Sequence, residues 1–268
     1  MGTSLTQARI SLKKIALPAS HGGWGFLLEP ILLGLWVAPS LAGVWLGLAA
    51  LGAFLAQQPL KLTVGDWRKG RRYARTAWAE RFSLLYGLVA LAAFVLAIAG
   101  ARASFWLPLG LAAPLAVVQL YYDVSNRGRA FIPELLGAAA LGAVAAAMAL
   151  AAGWATAPAL ALWGILLTRA LVSIVYVRAR LRLERGQTIA AAPVWVVHLL
   201  GLLALAGLAF GSLIPWLAVL ALLVLLIRAV AGLSSYRRAV RARTVGFQEL
   251  GYGLLTVTLT ALGYTFNL

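Results

Sequence analysis

The chain contains no cysteine, which excludes disulfides, thiolate-ligated haem, iron–sulfur clusters and cysteine-held zinc. Acid is nearly as scarce: seven Asp and Glu stand against 23 Lys and Arg. There are two histidines, His21 and His198, and no His/Asp/Glu grouping has the spacing of a zinc or di-iron site, so neither a metal nor a cofactor is expected. The formal net charge of +16 would suit nucleic acid, but only a soluble domain could present it, and no polar stretch is long enough to form one. No small-residue cleavage pattern separates the basic start QARISLKKIALPAS from the first apolar run, so the N-terminal segment is expected to stay attached.

What the chain has in excess is apolar surface. Of its 268 residues 63% are hydrophobic and 11% are charged, with a mean hydropathy of +0.91. Lipid is the solvent such a composition fits, so the expected fold class is all-α, a polytopic membrane protein with one transmembrane domain over 1–268. Apolar runs predict nine helices, at about 22–38, 41–57, 82–100, 104–122, 132–152, 158–177, 193–211, 214–232 and 248–266. Most approach the roughly 20 residues a bilayer helix needs, while the first two are short.

Basic residues are distributed on one side. The N-terminal segment 1–21 and the connections at about 58–81, 123–131, 178–192 and 233–247 carry 20 of the 23 Lys and Arg. The opposite connections hold only Arg102, and Arg169 and Arg228 fall inside spans. The positive-inside rule then predicts a cytoplasmic N-terminus and an outside C-terminus. The outer turns APS, GARAS, GWATAP and GSLIPW offer little beyond chain reversal and interface anchoring, so polar chemistry is expected at the inner face.

Three of the seven carboxylates, Glu29, Glu134 and Glu249, lie near the inner ends of spans one, five and nine. An ionisable group at such depth is a candidate functional residue and generally faces protein or a water-filled cavity. In HGGWGFLLEP, His21, Gly25 and Glu29 recur every four residues and share one helical face, and Pro30 frees the carbonyl of Phe26 and invites a kink. Two readings of Glu29 stand together here. It positions a substrate on a cavity wall, or it pairs with Arg169 or Arg228 as a buried structural ion pair. Arg169, Arg228 and Glu249 are assigned to such pairs.

Nine spans with polar connections after the second and sixth resemble the UbiA superfamily of intramembrane prenyltransferases. GGWGFLLEPILLGLW is similar to that family's first helix, and YYDVSNRGRAFIPELLGAAALG to its entry into helix five, through Tyr122, Arg127, Pro133 and Gly137. In the family, Asp-rich motifs after spans two and six hold Mg²⁺ against a prenyl diphosphate. At the matching positions this sequence has Gln57, Gln58 and Lys61, then Ser173, Tyr176 and Arg180. The resemblance therefore implies the architecture without its metal site. The HGGWGF entry, the Glu-Pro pair and the basic second connection are more closely similar to the YwiC-like family of bacterial membrane proteins, which implies the bacterial cytoplasmic membrane.

Where relatives place magnesium, cations can meet a phosphate directly. The residues expected to bind the ligand are His21, Gln57, Lys61, Arg68, Arg127, Ser173, Arg178 and Arg180, with Glu29, Glu134 and Tyr176 as candidate catalytic groups. The ligand is expected to be a phosphate-bearing isoprenoid or another anionic membrane lipid. Three functions fit: a metal-independent transferase, a non-catalytic lipid or quinone binder, and a transporter using Glu29, Glu134, Arg169 and Arg228. The outer halves of the spans hold few polar residues, which disfavours transport.

Overall fold

The computed structural model describes residues 11–18, 21–125, 127–128 and 130–268. Among these every regular element is helical: α1 (Leu12–Ala16), α2 (His21–Val37), α3 (Leu41–Arg68), α4 (Thr76–Gly100), α5 (Trp106–Val124), α6 (Phe131–Ala151), α7 (Thr156–Glu184), α8 (Ala192–Phe210), α9 (Trp216–Leu233) and α10 (Ala242–Phe266). The nine expected helices correspond to α2 through α10. Seven of them, α3 to α9, are long and apolar enough to cross a bilayer. The apolar part of α2, Gly22–Val37, is shorter, and α10 carries Arg243, Gln248 and Glu249 in its first two turns.

Local chemistry explains where these helices begin and stop. Pro108, Pro133, Pro158 and Pro193 fall in the first turns of α5, α6, α7 and α8, where a missing N–H sacrifices no helical hydrogen bond. Ser40 caps α3, its side chain accepting from the Gly43 N–H at 3.0 Å. Gly153 takes φ +98 in the turn after α6 and Gly186 φ +74 after α7, conformations that a side chain resists.

The ends that carry the basic residues differ from the expected boundaries. α3 continues to Arg68 and α7 to Glu184, and α4 and α10 start earlier than apolarity alone predicts. Most of the connection expected at 58–81 is thus helix, leaving residues 69–75 to turn the chain. Helix propensity and neighbouring helices carry α3 and α7 past their apolar limits, while long basic side chains keep their charges in water.

The core is densest on α6 and α7, with buried residues of α2, α3, α8, α9 and α10 packed around them. Ala143, Ala145, Ala146, Ala147 and Met148 on α6 are fully buried. Lipid tails are as apolar as leucine, so close backbone approach drives this association more than hydrophobicity does. A Cβ on Gly34 would sit 2.8 Å from Met148 Sδ, and one on Gly142 3.2 Å from the Trp163 ring, whose Nε1 donates to Ala139 O at 2.9 Å. By contrast, Leu84, Leu88, Leu91 and Val95 of α4 and Leu199, Leu200 and Leu203 of α8 face outward.

The two ends of the bundle are chemically distinct. At one, Arg102 N donates to Ala151 O at 2.8 Å, and Tyr264 donates to Leu213 O at 3.3 Å. At the other, Gln58 donates to Lys14 O at 3.4 Å, Arg178 meets Glu134 at 3.5 Å, and Val240 N donates to Glu184 at 3.2 Å. The described basic connections all belong to this second end.

Candidate functional site

Two polar assemblies occupy the basic half of the bundle. The deeper one is an ion network joining α2, α7, α9 and α10. Arg169 Nη2 donates to Glu29 Oε1 at 3.1 Å and to the Glu249 backbone carbonyl at 3.0 Å, and Arg169 also hydrogen-bonds Ser173. Glu249 lies 3.7 Å from Arg169 Nη1 and accepts from Arg228. Arg228 lies over the rings of Tyr176 at 4.1 Å and Tyr252 at 5.1 Å, a cation–π sandwich that suits a guanidinium removed from water. Two cations and two anions cancel, which is how charges persist at such burial: Arg169 is 2% and Glu29 7% exposed.

Small residues make room for this network. A Cβ on Gly253 would overlap the Glu29 carboxylate, and one on Gly232 would overlap the Tyr176 phenol. Arg180, one turn beyond Tyr176, donates to the carbonyls of Gly232 and, at 2.6 Å, Arg238, and pairs with Glu184 at 2.8 Å. It thereby fastens the α9–α10 connection to α7. Arg178 turns the other way, toward Glu134 and, at 5.8 Å, the Phe131 ring.

The second assembly is an open pocket of about 700 Å³ between the C-terminal ends of α3 and α5 and the start of α4. Its cationic lining comprises Lys61, Arg68 and Lys69 from α3 and its C-cap, Arg75 at the N-cap of α4, and Arg127 after α5, together with Tyr121 and Tyr122. The sole lining carboxylate, Asp66, is already engaged: Arg75 Nη2 lies 2.8 Å from its Oδ1, and Thr76 donates to its Oδ2 at 2.8 Å. The Asp66 bond also raises the pKa of Arg75 above its ordinary value. Gln57, a turn deeper on α3, donates to Gln119 at 3.5 Å, and Gln119 in turn bonds Asp123, which is within electrostatic range of Lys61.

The expected ligand-binding residues therefore separate into two groups. Lys61, Arg68 and Arg127 line the pocket, with Gln57 behind it. Ser173, Arg178 and Arg180 belong to α7, where Ser173 accepts from Arg169 of the same helix, Arg178 faces Glu134 of α6 and Arg180 reaches the α9–α10 connection. α2 and α6 each pack against both α3 and α7 and lie between them. The positions matched after spans two and six, Gln57 to Lys61 and Ser173 to Arg180, thus belong to separate assemblies. Glu29 and Tyr176 share the ion network, Glu134 stands apart with Arg178, and the His21 side chain lies outside the described residues. Lys69 and Arg75, read from the sequence as topology signals alone, prove to line the pocket. Their signal was Asp66, nine residues before Arg75 and able to close the turn between them. Among the described residues no three His, Asp or Glu are grouped so as to hold a metal ion.

A strand-free bundle with seven apolar spanning helices and buried, mutually neutralised charges defines a polytopic integral membrane protein. Residues 17–149, from the end of α1 nearly to the end of α6, match the family model described as YwiC-like protein. That match contains Glu29 and the whole cationic pocket, whereas Arg169, Arg228 and Glu249 lie beyond it. No curated protein and no solved structure matches the chain.

Proposed function

We propose that this protein binds the phosphate-bearing head group of a membrane lipid, an isoprenoid or another anionic lipid, in the pocket between α3 and α5, at the cytoplasmic face and without metal. One observation carries the reading: Lys61, Arg68, Lys69 and Arg127 surround the pocket while its one lining carboxylate is satisfied by Arg75 and Thr76. Cations in excess of carboxylates around a cavity of that size suit a phosphate with further polar substituents, held by charge-assisted hydrogen bonds. The cytoplasmic orientation follows from the positive-inside rule applied to the basic end. The UbiA-like part of the reading rests on the local sequence matches.

Binding is favoured over transfer chemistry. Glu29, Glu134 and Tyr176 are each engaged by an arginine, Arg169, Arg178 and Arg228 respectively, and none lines the pocket. A transferase would need an acid or base free to meet its substrate. Transport is disfavoured because the intramembrane charges neutralise one another in a packed seam.

Native mass spectrometry of the purified protein with farnesyl phosphate, phosphatidylglycerol and phosphatidylcholine tests the reading. Saturable binding of a phosphorylated probe, weakened about tenfold by Lys61→Ala or Arg127→Ala, is expected for loss of one charged hydrogen bond. Equal retention of all three lipids by the variants and the parent overturns it.

A further inference from the structure

A second cavity, of about 240 Å³, opens between the first turns of α2 and α10 and is lined by Trp24, Arg243, Gly246, Phe247 and Leu250. It shares no lining residue with the cationic pocket. Its walls are apolar and well supported. Trp24 is held edge-on by the buried Phe54 at 5.2 Å, and Leu250 closes on Gly25, where a Cβ would come within 3.1 Å of Leu250 Cδ2. Phe247 is 56% exposed, although it stands in a helix that packs on α2, α7 and α9. At Gly246 an added Cβ would meet nothing within 4 Å, so this glycine leaves the groove open.

Among the described residues a single charged group stands on this lining, Arg243, whose guanidinium lies 5.4 Å from the Phe247 ring centre. The groove is thus amphiphilic: two aromatic rings and a leucine form the apolar bed, and one cation stands over it. Its position matters as much as its lining. It lies at the inner end of the bundle, where Arg237, Arg238 and Arg241 precede α10, which is the depth of lipid phosphates. A peptide strand laid here would leave backbone groups unpaired at the edge of the hydrocarbon, whereas an acyl chain has none to pair. One cation at the mouth matches one negative charge, unlike the several cations of the larger pocket.

We propose that this groove is a specific site for an anionic glycerophospholipid of the inner leaflet, with one acyl chain over Trp24, Phe247 and Leu250 and the head-group phosphate against Arg243. The site is independent of the head-group pocket between α3 and α5. It gives the glycine-rich start of α2 and the Gly-Phe step of α10 a shared role.

The test uses the full chain in nanodiscs, with trace phosphatidylglycerol or phosphatidylcholine carrying a photoactivatable acyl chain and label sites mapped by mass spectrometry. Label from the phosphatidylglycerol probe is expected to concentrate on residues 243–250. Gly246→Leu, which fills the groove, should remove it; Arg243→Gln should lower it roughly fivefold, for one cation near the surface; Lys61→Ala, in the other pocket, should leave it unchanged. Label spread evenly over the outward faces of α4 and α8, equal labelling by phosphatidylcholine, or undiminished label in Gly246→Leu overturns the proposal. Should Gly246→Leu fail to fold, Arg243→Gln, at an exposed position, decides alone: unchanged labelling there overturns the site.

Discussion

Arg169 on α7 lies 3.1 Å from Glu29 on α2, a pair 140 residues apart in the chain and nearly free of solvent. Because Arg169 also meets Glu249, which accepts from Arg228, loss of any one member leaves a buried charge without its counterion. Glu29→Ala should therefore destabilise the protein by about 3–5 kcal/mol. Adding Arg169→Met should recover part of that loss. Thermal unfolding of the two single variants and the double variant in one detergent checks the coupling, and simple additivity would contradict it.

Two glycines of α10 separate close packing from mere helix propensity. At Gly253 a Cβ would overlap the Glu29 carboxylate, while at Gly251 it would meet nothing within 4 Å. Gly253→Ala should cost about 1–3 kcal/mol through overpacking. Gly251→Ala should be neutral or stabilising by up to about 1 kcal/mol, as alanine favours the helix. Melting temperatures of the two variants give the comparison.

Asp66 organises the turn between α3 and α4. Its carboxylate takes Arg75 and Thr76, and its backbone carbonyl accepts from Lys69 N at 3.2 Å and Arg71 N at 3.3 Å. Asp66→Ala should cost about 1–2 kcal/mol, discounted because Arg75 is half exposed. It should also raise trypsin cleavage at residues 69–75. Unchanged proteolysis would show that the carboxylate does not hold the turn.

Because the native chain has no cysteine, single cysteines report topology without background. With the basic end cytoplasmic, Arg71→Cys in intact cells should resist a membrane-impermeant maleimide, and Arg102→Cys should react. The reverse pattern would invert the orientation and move the cationic pocket to the outer face.

Much of the architecture was legible because lipid imposes simple rules. Apolar runs mark helices, and uneven Lys and Arg mark sides, since both depend on single residues and their solvent. The extended helices α3 and α7 were less legible, because their C-terminal turns are polar and their helicity depends on neighbours. The pairing of Gly34 with Met148 was likewise invisible, as small residues reveal that helices approach but not which ones do.

By itself the sequence determined the all-helical class, the concentration of charge at one end and the small set of carboxylates from which any site had to be built. Only the tertiary structure decided which cation each carboxylate meets. It set Glu29 against Arg169 and Glu134 against Arg178, and it turned Arg180 toward the α9–α10 connection, away from Lys61. The physical reason is that ion pairing depends on a few ångströms across helices distant in the chain. Such distances arise from packing, and no spacing along one helix encodes them.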